Sequence, residues 1–192
     1  MTRMAMIGFM MFFLSACGYN DLQGLDENTN SAWAEVENQY QRRADLIPNL
    51  VSVVKGYAAH ERETLTAVTE ARAKVGSVQI TQETMKNRDS FKQFDQAQSG
   101  LSSALSRLMV VVEKYPDLKA NQNFLDLQSQ LEGTENRITV ARKRYIDSVS
   151  EYNKKVRFFP TNLTAKYMLD LSVRPNFTAT TPGAEKAPTV AF

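Results

Sequence analysis

The chain has 192 residues with one cysteine and one histidine, and 23 Lys+Arg against 21 Asp+Glu give a formal net charge of +2. That balance lacks the basic excess of a nucleic-acid binder, so no nucleic-acid partner is expected. A lone cysteine excludes an intrachain disulfide framework. Sparse Gly and Pro before the C-terminus, with charges of both signs interspersed, give the profile of one all-helical domain.

The chain opens Met1-Thr2-Arg3, turns apolar from Met4 to Leu14, and then reads Leu14-Ser15-Ala16-Cys17-Gly18. A positive residue, a short apolar run and small residues before a cut site are the parts of a secretory signal peptide. The run is about 13 residues, whereas a spanning helix needs roughly 20, so its length favours a signal peptide over residues 1–16 and disfavours a retained anchor. Leu-Ser-Ala-Cys resembles the lipobox of bacterial lipoproteins, in which the cysteine is acylated and the chain is cut just before it. On that reading Cys17 is the lipidation site, and membrane lipid is the first partner. A diacylglycerol with or without a third chain supplies the roughly two signals that stable anchoring needs. The bundle would then face the periplasm or the exterior. Gly18 replaces the Asp that tends to retain Gram-negative lipoproteins in the inner membrane, so the outer membrane is permitted.

Residues 17–30 read as a polar, lipid-anchored tether, with Asn28, Thr29, Asn30 and Ser31 all suited to N-capping. Three long helical patterns follow. The first runs from about Ser31 to Val75 through Trp33, Val36, Tyr40, Ala44, Ile47, Val51, Val54, Ala58, Leu65 and Val68. The second runs from about Thr81 to Tyr115 through Phe91, Phe94, Leu101, Leu105, Leu108 and Val112, with Gln98 filling a gap. The third runs from about Leu118 to Phe158 through Phe124, Leu127, Leu131, Ile138, Ala141, Tyr145, Val149 and Tyr152. Steps of three and four are the heptad signature of packed helices. Gly76-Ser77 ends the first pattern, and Pro116 with Asp117 separates the second from the third.

The fold expected is therefore an elongated antiparallel bundle of three long helices plus a short C-terminal helix. The first helix is expected to be kinked at Pro48. A split there, giving a four-helix bundle, is the alternative. The apolar register passes Pro48 without a phase slip, which favours the kink, and Asp45 or Asn49 could bond the backbone groups the proline leaves free. After Pro160, Leu163, Tyr167, Met168 and Leu171 are expected to pack on one end of the bundle. The domain is expected to close at residue 171, with residues 172–192 a disordered tail rich in Pro, Thr and Ala.

The densest polar cluster is Arg42, Arg43, Asp45, Pro48, Asn49, His60 and Glu61. One reading is a buried network that fixes helix register at Pro48, the other a docking surface. Arg42 and Asp45 lie at pairing distance along a helix. Glu135 and Arg142 share a face of the third pattern and could join across the bundle. His60 is the only histidine and has no second histidine at helical spacing, so the zinc-protease pattern is missing, and a Ser-His-Asp arrangement has no support. The glycines are isolated and form no phosphate loop. No catalytic residue, metal or cofactor is expected. The aromatic positions, from Trp33, Tyr40 and Tyr57 to Tyr145 and Tyr152, read as core.

Several of these segments together resemble the LemA family. The core motif is Arg42-Arg43-Ala44-Asp45-Leu46-Ile47-Pro48-Asn49-Leu50-Val51, followed by Lys55-Gly56-Tyr57-Ala58 and His60-Glu61. Tyr19-Asn20, Ala71-Arg72, Tyr115-Pro116-Asp117-Leu118-Lys119-Ala120, Asn123-Phe124, Tyr152-Asn153 and Phe159-Pro160 fit as well. Many members keep an uncleaved membrane helix, so this chain resembles a lipoprotein-type member. The resemblance implies a helical bundle outside the membrane with no established enzymatic activity. Members are often encoded near membrane proteases, which suggests by association a scaffold role toward an envelope protein yet to be identified. The function expected is a non-enzymatic, lipid-anchored interaction module of the cell envelope, with self-association left open. The alternative is a ligand- or metal-sensing bundle.

Overall fold

The computed structural model describes residues 2–78 and 86–177, and the side chains of the first helix from Gly18 onward. The expected start of the second pattern at Thr81, the residues beyond 177 and the Cys17 side chain lie outside the described residues. The described chain forms α1 (Thr2–Tyr57), α2 (Arg62–Ser77), α3 (Arg88–Val112), α4 (Pro116–Lys119), α5 (Gln122–Arg157) and α6 (Thr161–Tyr167), with no strand among the described residues. The all-α bundle expected from the heptads is what forms. α1 packs along α5, and α2 packs along α3. Among the described residues no helix is long and apolar enough to cross a membrane.

The heptad is stricter in the structure than in the hydrophobic pattern. The buried line of α1 runs Thr29, Trp33, Val36, Tyr40, Arg43, Ile47, Leu50, Val54, and that of α3 runs Phe91, Phe94, Gln98, Leu101, Leu105, Leu108, Val112. Both alternate steps of three and four without a break. Ala44 and Val51, expected in the seam, are only half-buried, because Arg43 and Leu50 take those positions. Reading by hydrophobicity steps around an arginine, whereas helix geometry does not.

α1 passes through Pro48 as helix and ends a few turns later at Tyr57. The first pattern is thus divided, but at Ala58–Glu61 and not at the proline. Gly56, a poor helix former, precedes the break. The Ala58 N–H closes the last turn on the Val54 carbonyl at 2.8 Å, and the Glu61 N–H bonds the Ala58 carbonyl at 3.0 Å. The carbonyl that Pro48 leaves without its helical donor is that of Ala44. Neither Asp45 nor Asn49 serves it. Arg72, from α2, donates its Nε–H to the Ala44 oxygen at 2.9 Å. The defect in one helix thereby becomes a tie to the next.

Two expected boundaries move. The polar stretch 18–30 is not a separate tether but part of α1. Leu22 and Thr29 are buried, and the Thr29 hydroxyl donates to the Leu25 carbonyl at 2.8 Å within the helix, so it does not cap. Residues 172–177 are likewise not a free tail, since Arg174 and Phe177 are buried. A composition rich in Pro and Thr hides two residues that pack. α3 and α5 start where asparagines cap them: Asn87 Oδ1 accepts from the Asp89 and Ser90 N–H groups, and Asn121 Oδ1 from that of Phe124. Pro116 opens the single turn of α4, where its missing N–H costs nothing.

Among the described residues the core has two apolar clusters. One gathers Ile47, Leu50, Val54, Leu101, Leu108, Phe124 and Leu131. The other is aromatic, around Trp33, Tyr40, Phe91, Phe94, Tyr145 and Phe177. Trp33 meets Phe94 edge-on at 5.4 Å and Phe91 meets Phe177 at 4.8 Å, spacings at which aromatic pairs attract. Of the aromatics expected in the core, Tyr57 is the exception, 46% exposed, with its hydroxyl accepting from Asn121.

Candidate functional site

Between the two apolar clusters lies a polar layer. Arg43 occupies a core heptad position of α1 and is 1% exposed. Its guanidinium donates to Ser102 Oγ at 2.8 Å and to Glu135 Oε1 at 2.6 Å from one nitrogen, and to Gln98 Oε1 from another. A single side chain of α1 thus reaches both α3 and α5. The cation also stands 5.0 Å from the Tyr40 ring centroid. Thr134, buried in the same layer, satisfies its hydroxyl on the Gln130 carbonyl at 2.7 Å. Two donors in the layer, Arg43 Nε and Gln98 Nε2, are buried with no partner among the described residues.

One layer toward the aromatic cluster, Arg142 of α5 donates to the Tyr40 hydroxyl at 3.2 Å and stands 3.3 Å from Asp95 Oδ1 of α3. The contact with Asp95 is an ion pair without hydrogen-bond alignment, since that oxygen has no hydrogen-bond partner among the described residues. The Arg142 guanidinium also lies 4.0 Å from the Phe177 ring centroid. Burial raises the Tyr40 phenol above its ordinary range, and the neighbouring Arg142 only partly offsets that.

A third arginine closes the far end. Arg174 donates to Asp26 Oδ1 at 2.7 Å and to Asn30 Oδ1 at 2.8 Å, both on α1. Its backbone exchanges hydrogen bonds with the Asn153 side chain of α5. The Tyr145 and Tyr152 hydroxyls donate to the Pro175 and Ser172 carbonyls. Burial is the main force pushing both phenols up.

The expected polar cluster is divided by this geometry. Arg43 goes inside. Arg42, Asp45, Pro48, Asn49 and His60 are exposed, and Asp45 accepts from Gln41 and not from Arg42. Glu61 lies at another place, accepting the Tyr115 hydroxyl at 3.0 Å, and that bond is the first cause of a raised Tyr115 phenol. Glu135 and Arg142 do both cross the bundle, but to different partners. Sequence reasoning missed Arg72, Asp95 and Arg174 as cross-bundle groups. For Arg43 and Asp95 a signal existed, since strict heptad stepping runs through or beside them. For Arg72 and Arg174 none did, because their partners are backbone or distant residues.

The polar layer opens to solvent as a groove between α3 and α5, about 570 Å3 in volume, floored by Tyr40, Arg43 and Gln98 and walled by Ser102, Glu135 and Arg142. It continues along the bundle beside Met109 and Leu131 as a second hollow of about 590 Å3. Among the described residues no group of three or more His, Cys, Asp or Glu is placed to hold a metal ion.

A long-helix bundle with a buried arginine layer and an open groove defines the class as a helical-bundle module. The sequence profile described as the LemA family matches residues 32–192, and the chain belongs to that family. It is 27% identical to magnetosome protein MamQ 2 of Paramagnetospirillum magneticum over 163 residues, 77% of this chain and 60% of the relative. It is 24% identical to protein LemA of Metamycoplasma hominis over 172 residues, 85% of this chain and 74% of the relative. MamQ of Magnetospirillum gryphiswaldense matches at 24% identity. The chain thus spans 60% of the length of the magnetosome relatives it matches. None of these names states an enzymatic activity.

Proposed function

We propose that the protein is a non-enzymatic, membrane-associated scaffold of a bacterial cell envelope, lipid-anchored at Cys17, whose bundle faces away from the membrane and positions another envelope protein. The observation that carries this reading is the continuity of α1. One helix runs from Thr2 past Cys17 to Tyr57, so whatever holds the N-terminus to a membrane also holds the longest helix of the bundle. A cut before Cys17 leaves that helix starting at the acylated residue. The Arg43 layer ties α1 to α3 and α5, so the α3/α5 groove is presented at a fixed attitude to the anchor. The family match and the similarity to proteins named as magnetosome proteins, none of them named as an enzyme, support the non-enzymatic reading.

Intact-mass analysis of membrane-fraction protein, wild type beside Cys17→Ser, tests the anchor. A chain beginning at Cys17 with two or three acyl chains supports it. An uncleaved, unmodified mass would replace it with a retained N-terminal segment. Crosslinking from groove residues then identifies the partner. A ligand-sensing bundle is the second reading, favoured by the unpartnered Arg43 and Gln98 donors beneath the groove. Thermal-shift screening against metals and metabolites separates the two, because a scaffold is silent and a sensor shifts by several degrees.

A further inference from the structure

The corner where α5 turns into α6 carries the most exposed aromatic surface among the described residues. Phe159 is 80% exposed, Tyr167 75%, Phe158 63%, Met168 60% and Leu163 48%. Hydrophobicity predicts that Leu163, Tyr167 and Met168 pack onto the bundle, yet Thr164 and Ala165 are the α6 residues that are buried. α6 therefore sits with its polar and small residues inward and its large apolar ones outward. Lys154, Arg157 and Lys166 are exposed on the same stretch of chain, as are Glu151 and Asp170, and Lys166 Nζ stands 5.4 Å from the Tyr167 ring centroid. The corner is fixed to α1 next to the expected acylation site. A Cβ on Gly18 would come within 2.9 Å of the Thr161 methyl, so the two helices meet closely and a larger residue at 18 would displace Thr161. Lys155 pairs with Asp21 at 3.0 Å one turn on.

Protruding aromatics with exposed basic residues on the same segment are the composition of a surface that lies in the interfacial layer of an anionic membrane. We infer that the α5–α6 corner is a membrane-docking surface. It seats Phe158, Phe159, Tyr167 and Met168 among the lipid headgroups and sets Lys154, Arg157 and Lys166 against anionic lipid. The inference rests on the anchored reading above, because an acyl anchor at Cys17 holds this corner at the bilayer. With anchor and corner both engaged, the bundle has a defined tilt, where the acyl anchor at the start of α1 alone would let the whole bundle pivot.

The test uses full-length protein in vesicles of phosphatidylethanolamine and phosphatidylglycerol, with acyl chains brominated or not. Flotation reports anchoring and tryptophan quenching reports depth. Trp33 is the only tryptophan and is buried about 22 Å along α1 from Gly18, so the wild type gives the baseline. Phe159→Trp replaces one exposed aromatic by another. Leu125→Trp places a probe on α5 about 50 Å from the corner. Bromolipid should lower the emission of the F159W chain and leave the wild type and L125W unchanged. Flotation without quenching of F159W overturns the docking surface while leaving the anchor intact. Failure to float overturns the anchor and the docking together. Quenching of L125W and not of F159W overturns it by reversing the bundle. An F159W emission change that ignores bromination and grows with protein density assigns the corner to a second copy of the chain, which also overturns it.

Discussion

Replacing Arg43 tests whether the polar layer holds the bundle. In Arg43→Ala the side chain loses charge-assisted hydrogen bonds to Ser102, Glu135 and Gln98. Each is worth about 1.5–3 kcal/mol net, and an orphaned buried Gln98 costs about 1–3 kcal/mol. The ion pair itself adds little, since the Glu135 side chain is 44% exposed and water takes over its charge. These terms overlap, and about 3–5 kcal/mol is the expected loss, set by the hydrogen bonds and by the buried Gln98 left without its partner. At about 2–4 °C per kcal/mol for a chain of this size, the Tm should fall by about 6–20 °C. Arg43→Met should cost less, about 2 kcal/mol, because it keeps the buried stem and removes the desolvated charge. Combining it with Gln98→Leu makes the layer apolar and should recover most of that loss. Urea unfolding followed by circular dichroism gives all three values. A loss below about 1 kcal/mol in Arg43→Ala would refute the argument, since the bonds to Ser102, Glu135 and Gln98 would then do no more than offset the cost of burying the cation. Unchanged stability with reduced partner capture would assign Arg43 to docking.

Three further outcomes are expected. Arg72→Ala should cost about 1–2 kcal/mol by orphaning the half-buried Ala44 carbonyl, but much less on a Pro48→Ala background, where residue 48 regains the N–H that bonds it; additive effects in this double-mutant cycle would contradict the tie. Phe177→Ala should lose about 3 kcal/mol from the aromatic cluster, whereas a disordered tail predicts no change in unfolding midpoint. Stability should also fall in alkali. Tyr40, Tyr145 and Tyr152 have phenols raised by burial, so below the ordinary tyrosine range folded and unfolded chains are equally protonated, and above about pH 10 the unfolded chain ionises first. Each then removes up to about 1.4 kcal/mol per pH unit, and Tyr145→Phe should make the decline shallower; an unchanged slope would mean that Tyr145 is not shielded.

Much of the architecture was legible because it depends on local periodicity. The three-and-four steps, the Gly76-Ser77 stop and the Pro116 start are short-range signals, and the helices end or begin where they stand. Passage of the helix through Pro48 was legible too, since the apolar register keeps its phase across it. The polar site was legible only in composition. Arg42, Arg43, Asp45, Asn49, His60 and Glu61 are neighbours in sequence, yet helix geometry turns Arg43 inward, leaves Arg42 in water and carries Glu61 past the Ala58 break to Tyr115. A contiguous motif on a helix cannot be one contiguous site, because successive residues point about 100° apart.

The sequence by itself determined that this chain is helical, that its helices pack by heptads and that it resembles the LemA family, because these follow from which residue types recur at which spacing. Only the tertiary structure decided the pairings that span long stretches of chain. Arg43 joins Gln98, Ser102 and Glu135, Arg72 serves the carbonyl freed by Pro48, and Arg174 draws the segment before Phe177 onto α1. It also decided that the α5–α6 corner turns Phe159, Tyr167 and Met168 outward. The physical reason is common to all of them. Periodicity fixes which face of a helix is buried, but the partner of a buried charge and the side a short helix presents depend on how separate elements meet in space.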